Sequence, residues 1–331
     1  MRLNRGLVIS AIALASVLTL SACTDSGANP PPGPAVATPT FAPGTTMAKL
    51  AAADKITIGT KFDQKLFGLK SPDGTPVGFD VEIGKIIAAK LGIAANKITW
   101  VETVSANREP FIQNGQVDIV IATYTINDKR KEVVSFAGPY YQAGQDLLVL
   151  AGNPSRITGP EDLAGKPVCT VSGSTSEKNI AAYTTNVIAT DTFSNCLGPL
   201  RSGEVVAVTT DNVILAGLSA QNSGEFEVVD KPFTQEPYGI GLKKDDTEFR
   251  AFINDTLDAS FTDGTWVAAW KATAGTVLDT PHPADNQPLL EPARRRADAA
   301  RASGKGVAAS ARVRTRVKPT EGESRHGRSH R

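Results

Sequence analysis

The chemistry of this chain concentrates in residues 118–148, DIVIATYTINDKRKEVVSFAGPYYQAGQDLL. Ile119, Val120 and Ile121 form a short β-branched apolar run that reads as a strand. Two hydroxyls follow it, Thr123 and Thr125, and then a charged turn from Asn127 to Lys131 that contains Arg130. Hydroxyls and free backbone N–H groups at the end of a strand, with a guanidinium just beyond, suit a small carboxylate, because Arg offers a planar fork that a carboxylate accepts bidentately. The plain alternative is an ordinary turn with a surface arginine. Other polar residues sit in comparable places: Lys61 after KITIGT, Ser174 and Thr175 after KPVCTV, and Asp211 after the run Val205–Val208. Ser105 and Arg108 precede a short helix. Asp211 is equally placed to cap a following helix, Lys61 to be solvated, and Arg108 to pair with Glu109.

The elements that must hold these residues follow from periodicity. Strands are expected at 55–60, 98–101, 118–123, 147–150, 166–171, 205–208 and 227–229. A helix follows Gly78-Phe79, with Asp80 as N-cap, Ile83, Ile86, Ile87 and Leu91 on one face, and Gly92 as its stop. A second helix is expected from Glu248 to Thr262. Alternating strands and helices argue for a parallel α/β sheet. The same pattern restarts after Gly144, so two such lobes are expected. Lys61, Thr123, Thr125, Ser174, Thr175 and Asp211 then all lie beyond strand ends, where ligands of open α/β sheets bind.

With 331 residues, 41% of them hydrophobic, the chain can fill two cores. Its net charge of +1 conceals an uneven distribution: Glu291 to Arg331 holds 12 Lys/Arg against 4 Asp/Glu, a surplus of about 8, which leaves about −7 for the rest. If the protein is exported, the basic tail suits anionic envelope polymers or lipid headgroups rather than nucleic acid. Arg2 and Arg5 precede the apolar run Leu7–Leu20, a signal-peptide pattern too short for a spanning helix. It ends in Leu20-Ser21-Ala22-Cys23, which resembles a bacterial lipoprotein box with Cys23 as the lipidated residue. Residues 24–46, with Pro30-Pro31-Pro32, lack apolar periodicity and read as a tether. Export favours a disulfide between the two remaining cysteines, Cys169 and Cys196. All three histidines, His282, His326 and His330, lie beyond the periodic part, so no Ser-His-Asp or His-metal constellation is available within it.

TYTINDKRKEVVSFAGPYY resembles the signature of the polar amino acid-binding proteins that feed bacterial ABC importers. GFDVEIGKIIAAKLG, SANREPFIQNGQVD, VCTVSGSTSEKNI and DGTW extend the similarity from Lys55 to Trp270, toward the glutamate-binding branch above all. The resemblance implies an α/β, two-lobe periplasmic-binding-protein-like fold of type II, with hinged lobes around a ligand cleft. With the segments read from composition, the expected organisation is 1–22 signal peptide, 23–46 tether after the lipidated Cys23, 47–142 with 232–280 as lobe 1, 143–231 as lobe 2, and 281–331 as a basic, disordered tail that has no counterpart in the resemblance. By position, Arg130 would bind the α-carboxylate with Thr125 and the Ser174–Thr175 region. Asp211 and Thr123 would take the α-ammonium, and Ser105, Arg108 and Lys61 a side-chain carboxylate. Tyr140 and Tyr141 are read as hinge packing.

The ligand so implied is L-glutamate, with glutamine, aspartate and asparagine as alternatives, and the partner is a membrane permease. No cofactor and no metal are implied, and the protein is expected to be a lipid-anchored monomer on the outer face of the cell membrane. A ligand sensor for a membrane signalling partner would use the same cleft. An exported dehydratase on this architecture is the enzymatic rival.

Overall fold

The computed structural model describes residues 39–279. The signal sequence, Cys23 and the basic tail read above lie outside the described residues. Helix α1 (Thr46–Ala53) starts on a Thr45 cap whose hydroxyl accepts from Ala48 N. Just before it, Phe41 packs edge-on against Phe252 at 5.6 Å, and the Thr46 hydroxyl donates to Asp246. Residues 39–46 therefore lie against the body, although they read as tether, because the Phe41 ring and the Thr46 hydroxyl dock them.

Strand β1 (Ile56–Thr60) leads into a small antiparallel ribbon, β2 (Asp63–Gln64), β3 (Gly68–Lys70) and β4 (Pro76–Val77). Helix α2 (Phe79–Lys90), strand β5 (Ile98–Glu102), helix α3 (Arg108–Gln113), strand β6 (Ile119–Val120) and helix α4 (Asp128–Lys131) follow. Strand β7 (Ser135–Ala143) completes the outgoing half of the first lobe, and β8 (Gln145–Leu150) already belongs to the second. There the chain forms β9 (Val168–Val171), α5 (Thr175–Ile180), β10 (Val187–Thr190), α6 (Leu197–Ser202), β11 (Ala207–Asp211), α7 (Asn212–Gln221) and β12 (Phe226–Val228). Strand β13 (Glu236–Leu242) returns to the first lobe, and α8 (Thr247–Asp263) and α9 (Thr265–Ala272) pack there.

Each lobe is built on one five-stranded sheet, of order β5-β1-β6-β13-β7 and β10-β9-β11-β8-β12. The expected parallel sheets are in fact mixed. Strand β13 runs antiparallel to β6 and β7, and β8 runs antiparallel to β11 and β12, because these are the segments by which the chain crosses between lobes and returns. Two crossings make a hinge. It is packed by Phe67, Phe79, Tyr140, Tyr141, Tyr238, Trp266 and Trp270, all buried, with Tyr141 stacked on Trp270 at 5.0 Å. Tyr140 also accepts at its carbonyl from Trp266 Nε1 at 3.0 Å.

Three local expectations change. Asp80 is not the N-cap of α2; Gly78 is, at φ +132°, and a Cβ there would stand 2.3 Å from the Phe67 backbone. Asp80 instead sits in the first turn, fully buried. The strand read at 118–123 pairs only over Ile119–Val120. Strand β10 went unread because its residues are only partly covered and carry no apolar alternation. Cys169 and Cys196 are bonded, with Cα atoms 5.6 Å apart, tying β9 to the single helical turn Phe193–Cys196.

Candidate functional site

The site is assembled from loops at the carboxyl ends of β1, β6, β9 and β11. After β6 the backbone turns into the left-handed region at Thr123, φ +44°, an uncommon state for a β-branched residue. Asp80 holds it there, since its carboxylate accepts Thr123 N–H at 2.8 Å and the Tyr140 hydroxyl at 2.6 Å. Burial pushes the Asp80 carboxyl up to about 7, against those two hydrogen bonds. The Thr123 hydroxyl donates to Gln64 Oε1 at 3.0 Å. Thr125 forms a lone bridge with Tyr238 of β13, which fixes the loop from the other side.

Arg130 lies on α4, where Asn127 caps its N–H at 2.9 Å. Its guanidinium donates to Glu109 at 3.0 Å, to Thr125 O at 2.7 Å and, across the cleft, to Gly173 O at 3.2 Å. Glu109 therefore pairs with Arg130 rather than with Arg108. Arg108 donates to the carbonyls of Ser105, Ala122 and Thr123, each at 3.2 Å, and reaches Gly173 O at 3.5 Å. Both guanidiniums lie by the Tyr124 ring, 4.4 Å and 5.0 Å from its centre, a cation–π arrangement. Burial, then the charge of Arg130, lowers Arg108 to about 10.

Lys61, for which a solvated position was the alternative, is only 3% exposed and donates to Ser105 Oγ at 2.9 Å. Burial first, and the Arg108 charge second, brings its ammonium down to about 7. Asp211, the last residue of β11, occupies the N-cap position of α7 without using its side chain as a cap. Its Oδ2 accepts the Tyr238 hydroxyl at 2.7 Å, while its buried Oδ1 has no hydrogen-bond partner among the described residues. Burial, and next the charge of Glu236, raises Asp211 to about 7.

Ser105, Arg108, Thr123 and Thr125 from the first lobe and Ser174, Thr175, Ser176, Phe193, Thr210, Asp211 and Ile214 from the second line one cleft. Lys61 and Arg130 stand directly behind this lining. The lobes also touch around it. A Cβ on Gly173 would lie 2.8 Å from Ala106 Cα, one on Gly217 would lie 2.4 Å from Lys65 O, and Phe193 N donates to Asp63 at 3.1 Å. All nine ligand-site residues read from the sequence gather here. Reading residues missed Gln64, Asp80, Tyr140, Tyr238 and Glu236 behind the cleft, and Ser176, Phe193, Thr210 and Ile214 on its wall. For Ser176 and Thr210 the signal was present, since each adjoins a residue already singled out.

Three cations and an acceptor-only carboxylate around a hydroxyl-rich cleft can hold a small molecule that carries both signs of charge. The described residues contain no cluster of His, Cys, Asp and Glu fit for a metal ion. Fold and site together define a two-lobed receptor for a small zwitterionic solute. Residues 56–272 match the model of bacterial extracellular solute-binding proteins, family 3, and the chain belongs to that family. It is 40% identical over 273 residues to glutamate-binding protein GluB of Corynebacterium glutamicum, covering 79% of this chain and 87% of that one. It is 38% identical to the ABC transporter glutamine-binding protein GlnH of Bacillus subtilis, covering 80% and 94%. Among solved structures it resembles an ancestral arginine-binding protein bound to glutamine, at 36% identity and a TM-score of 0.61, covering 66% and 97%.

Proposed function

We propose that this protein captures L-glutamate outside the cytoplasm and delivers it to an ABC importer in the membrane. The observation that carries the reading is the charge arrangement at the cleft: Lys61, Arg108 and Arg130 at or behind its first-lobe wall, and, on its second-lobe wall, Asp211, whose Oδ1 has no hydrogen-bond partner among the described residues. L-Glutamate has two carboxylates and one ammonium, so each of its charges meets an opposite one. In this reading Arg130, with Thr125 and the Ser174–Thr175 segment, takes the α-carboxylate. Asp211 and Thr123 take the ammonium, and Lys61, Arg108 and Ser105 the side-chain carboxylate. A buried carboxylate without such partners would be strongly disfavoured.

The rest of the organisation belongs to the same proposal. Residues 47–142 with 232–280 form one lobe and 143–231 the other, a division supported by the membership of the two sheets. Cys23 carries the lipid, residues 24–38 act as the tether, and the protein works as a monomer without catalysis. Support for the last point is that the chain's histidines, at 282, 326 and 330, fall outside the matched region.

L-Glutamine is the second reading, favoured by two observations. Lys61 sits at about 7, so near neutrality part of the protein offers an uncharged amine there, and Arg108 spends three of its N–H groups on backbone carbonyls. Titration calorimetry of ligand-stripped protein with both amino acids decides between them. Tighter binding of L-glutamine would overturn the glutamate reading.

A further inference from the structure

Glu236 opens β13, where the chain re-enters the first lobe, and is 2% exposed. Three donors converge on its carboxylate: the Thr175 hydroxyl at 2.8 Å, the Thr234 hydroxyl at 2.9 Å and the Asn179 amide at 3.2 Å. Thr234 in turn accepts Gln145 N–H at 2.9 Å, so its proton and one of its lone pairs are committed. The consequence falls on Thr175, which lines the cleft. A hydroxyl has one proton and two lone pairs. Since Glu236 takes the proton, Thr175 Oγ1 presents only lone pairs to anything else it meets. It can accept from an ammonium but cannot donate to a carboxylate.

Glu236 also lies close enough to Asp211 for its charge to disfavour a second negative charge there. Two carboxylates so placed are relieved by a cation between or beside them. Asp211 Oδ1 is the oxygen left to receive one.

We propose that Glu236 is a positioning residue for the ammonium half of the cleft, turning the Thr175 hydroxyl into an acceptor and adding a second negative charge behind Asp211, so that the site demands an α-ammonium on its ligand. This rests on reading the cleft as an amino-acid site, and it moves the Thr175 side chain from the carboxylate end to the ammonium end. Without Glu236, a diacid lacking the amino group becomes a better competitor.

The test compares L-glutamate with glutarate, which has the same two carboxylates and no ammonium, by calorimetry on wild type, Glu236→Gln and Glu236→Asp. The expected result is that Glu236→Gln lowers the preference for L-glutamate over glutarate at least tenfold, with glutarate affinity unchanged or improved, while Glu236→Asp keeps most of the preference. A residue that merely staples the hinge would weaken both ligands alike, and that result overturns the proposal, as does an unchanged preference. Should Glu236→Gln fail to fold, Thr175→Val gives the same reading: L-glutamate must lose more than glutarate. If the wild type binds L-glutamine and not L-glutamate, the functional reading above fails, and the comparison of L-glutamine with glutaramate decides this inference in the same way. Wild-type protein that binds no α-amino acid overturns both.

Discussion

Lys61 donates to Ser105 Oγ at 2.9 Å from a position that is almost wholly buried, and the Arg108 charge stands beside it. A lysine so placed is only partly charged near neutrality until something negative joins it. Its value of about 7 in the ligand-free protein means that a bound side-chain carboxylate must raise it, by favouring the charged form. Binding L-glutamate above about pH 7 therefore takes up a proton, and affinity falls as pH rises beyond that point, by at most about tenfold per pH unit for one proton. Below about 7 the opposite limb is set by Asp211, whose protonation removes the ammonium's partner. Calorimetry in buffers of different ionisation heat should show proton uptake at mildly alkaline pH, and Lys61→Met should abolish it. Binding without uptake in the wild type would mean that Lys61 does not face the ligand's side chain.

The two arginines should separate by ligand. Arg130 is read as binding the α-carboxylate common to all amino acids, so Arg130→Gln should weaken L-glutamate and L-glutamine alike. The cost should be about 2–5 kcal/mol, or about thirtyfold and more. Part of that loss comes from Glu109, which forfeits its ion pair. Arg108→Gln should weaken L-glutamate the more, narrowing its advantage over L-glutamine. Equal effects of the two substitutions on both ligands would refute the division of labour.

Closure in this account depends on Gly217. Gly217 of α7 meets Lys65 O so closely that a Cβ would stand 2.4 Å from it, and the atom met is backbone, which cannot swing aside. Gly217→Val should hold the lobes apart without touching the ligand. Small-angle scattering is expected to show no compaction on adding ligand, with affinity reduced at least about tenfold, or about 1.4 kcal/mol. Normal compaction in this variant would show that closure does not bring Gly217 and Lys65 together.

Much of the cleft was legible because its residues are read locally. Thr123, Thr125, Thr175 and Asp211 stand at the ends of apolar runs, where residue type alone left a surface arginine and a capping aspartate open, and the resemblance of the neighbouring motifs decided for ligand contact. What was not legible comes from residues far apart in sequence. Asp80 looked like a helix cap because a carboxylate at the start of an apolar-periodic stretch usually is one. Its real partners, Thr123 N and the Tyr140 hydroxyl, are 43 and 60 residues away. Tyr238 and Glu236 belong to the returning strand, and nothing local signals that they reach Asp211 and Thr175. The antiparallel edges were hidden for the same reason, since the direction of a strand that re-enters a sheet is decided by topology and not by its own pattern.

The disulfide closes a loop with a sequence separation of 27. In the chain-entropy picture it should contribute roughly 3–4 kcal/mol. Replacing both cysteines by alanine is expected to lower the denaturation midpoint while leaving ligand affinity within about threefold, since neither sulfur lines the cleft. A collapse of affinity without loss of stability would show instead that the bond positions Phe193 for binding.

The central claim is tested most directly by titrating purified, ligand-stripped protein with L-glutamate and L-glutamine at neutral pH, side by side, in a calorimeter. The account predicts that both are measured against one site per chain and that L-glutamate binds more tightly, because only it supplies a second negative charge to Lys61 and Arg108. Tighter binding of L-glutamine, or binding of neither, would contradict it.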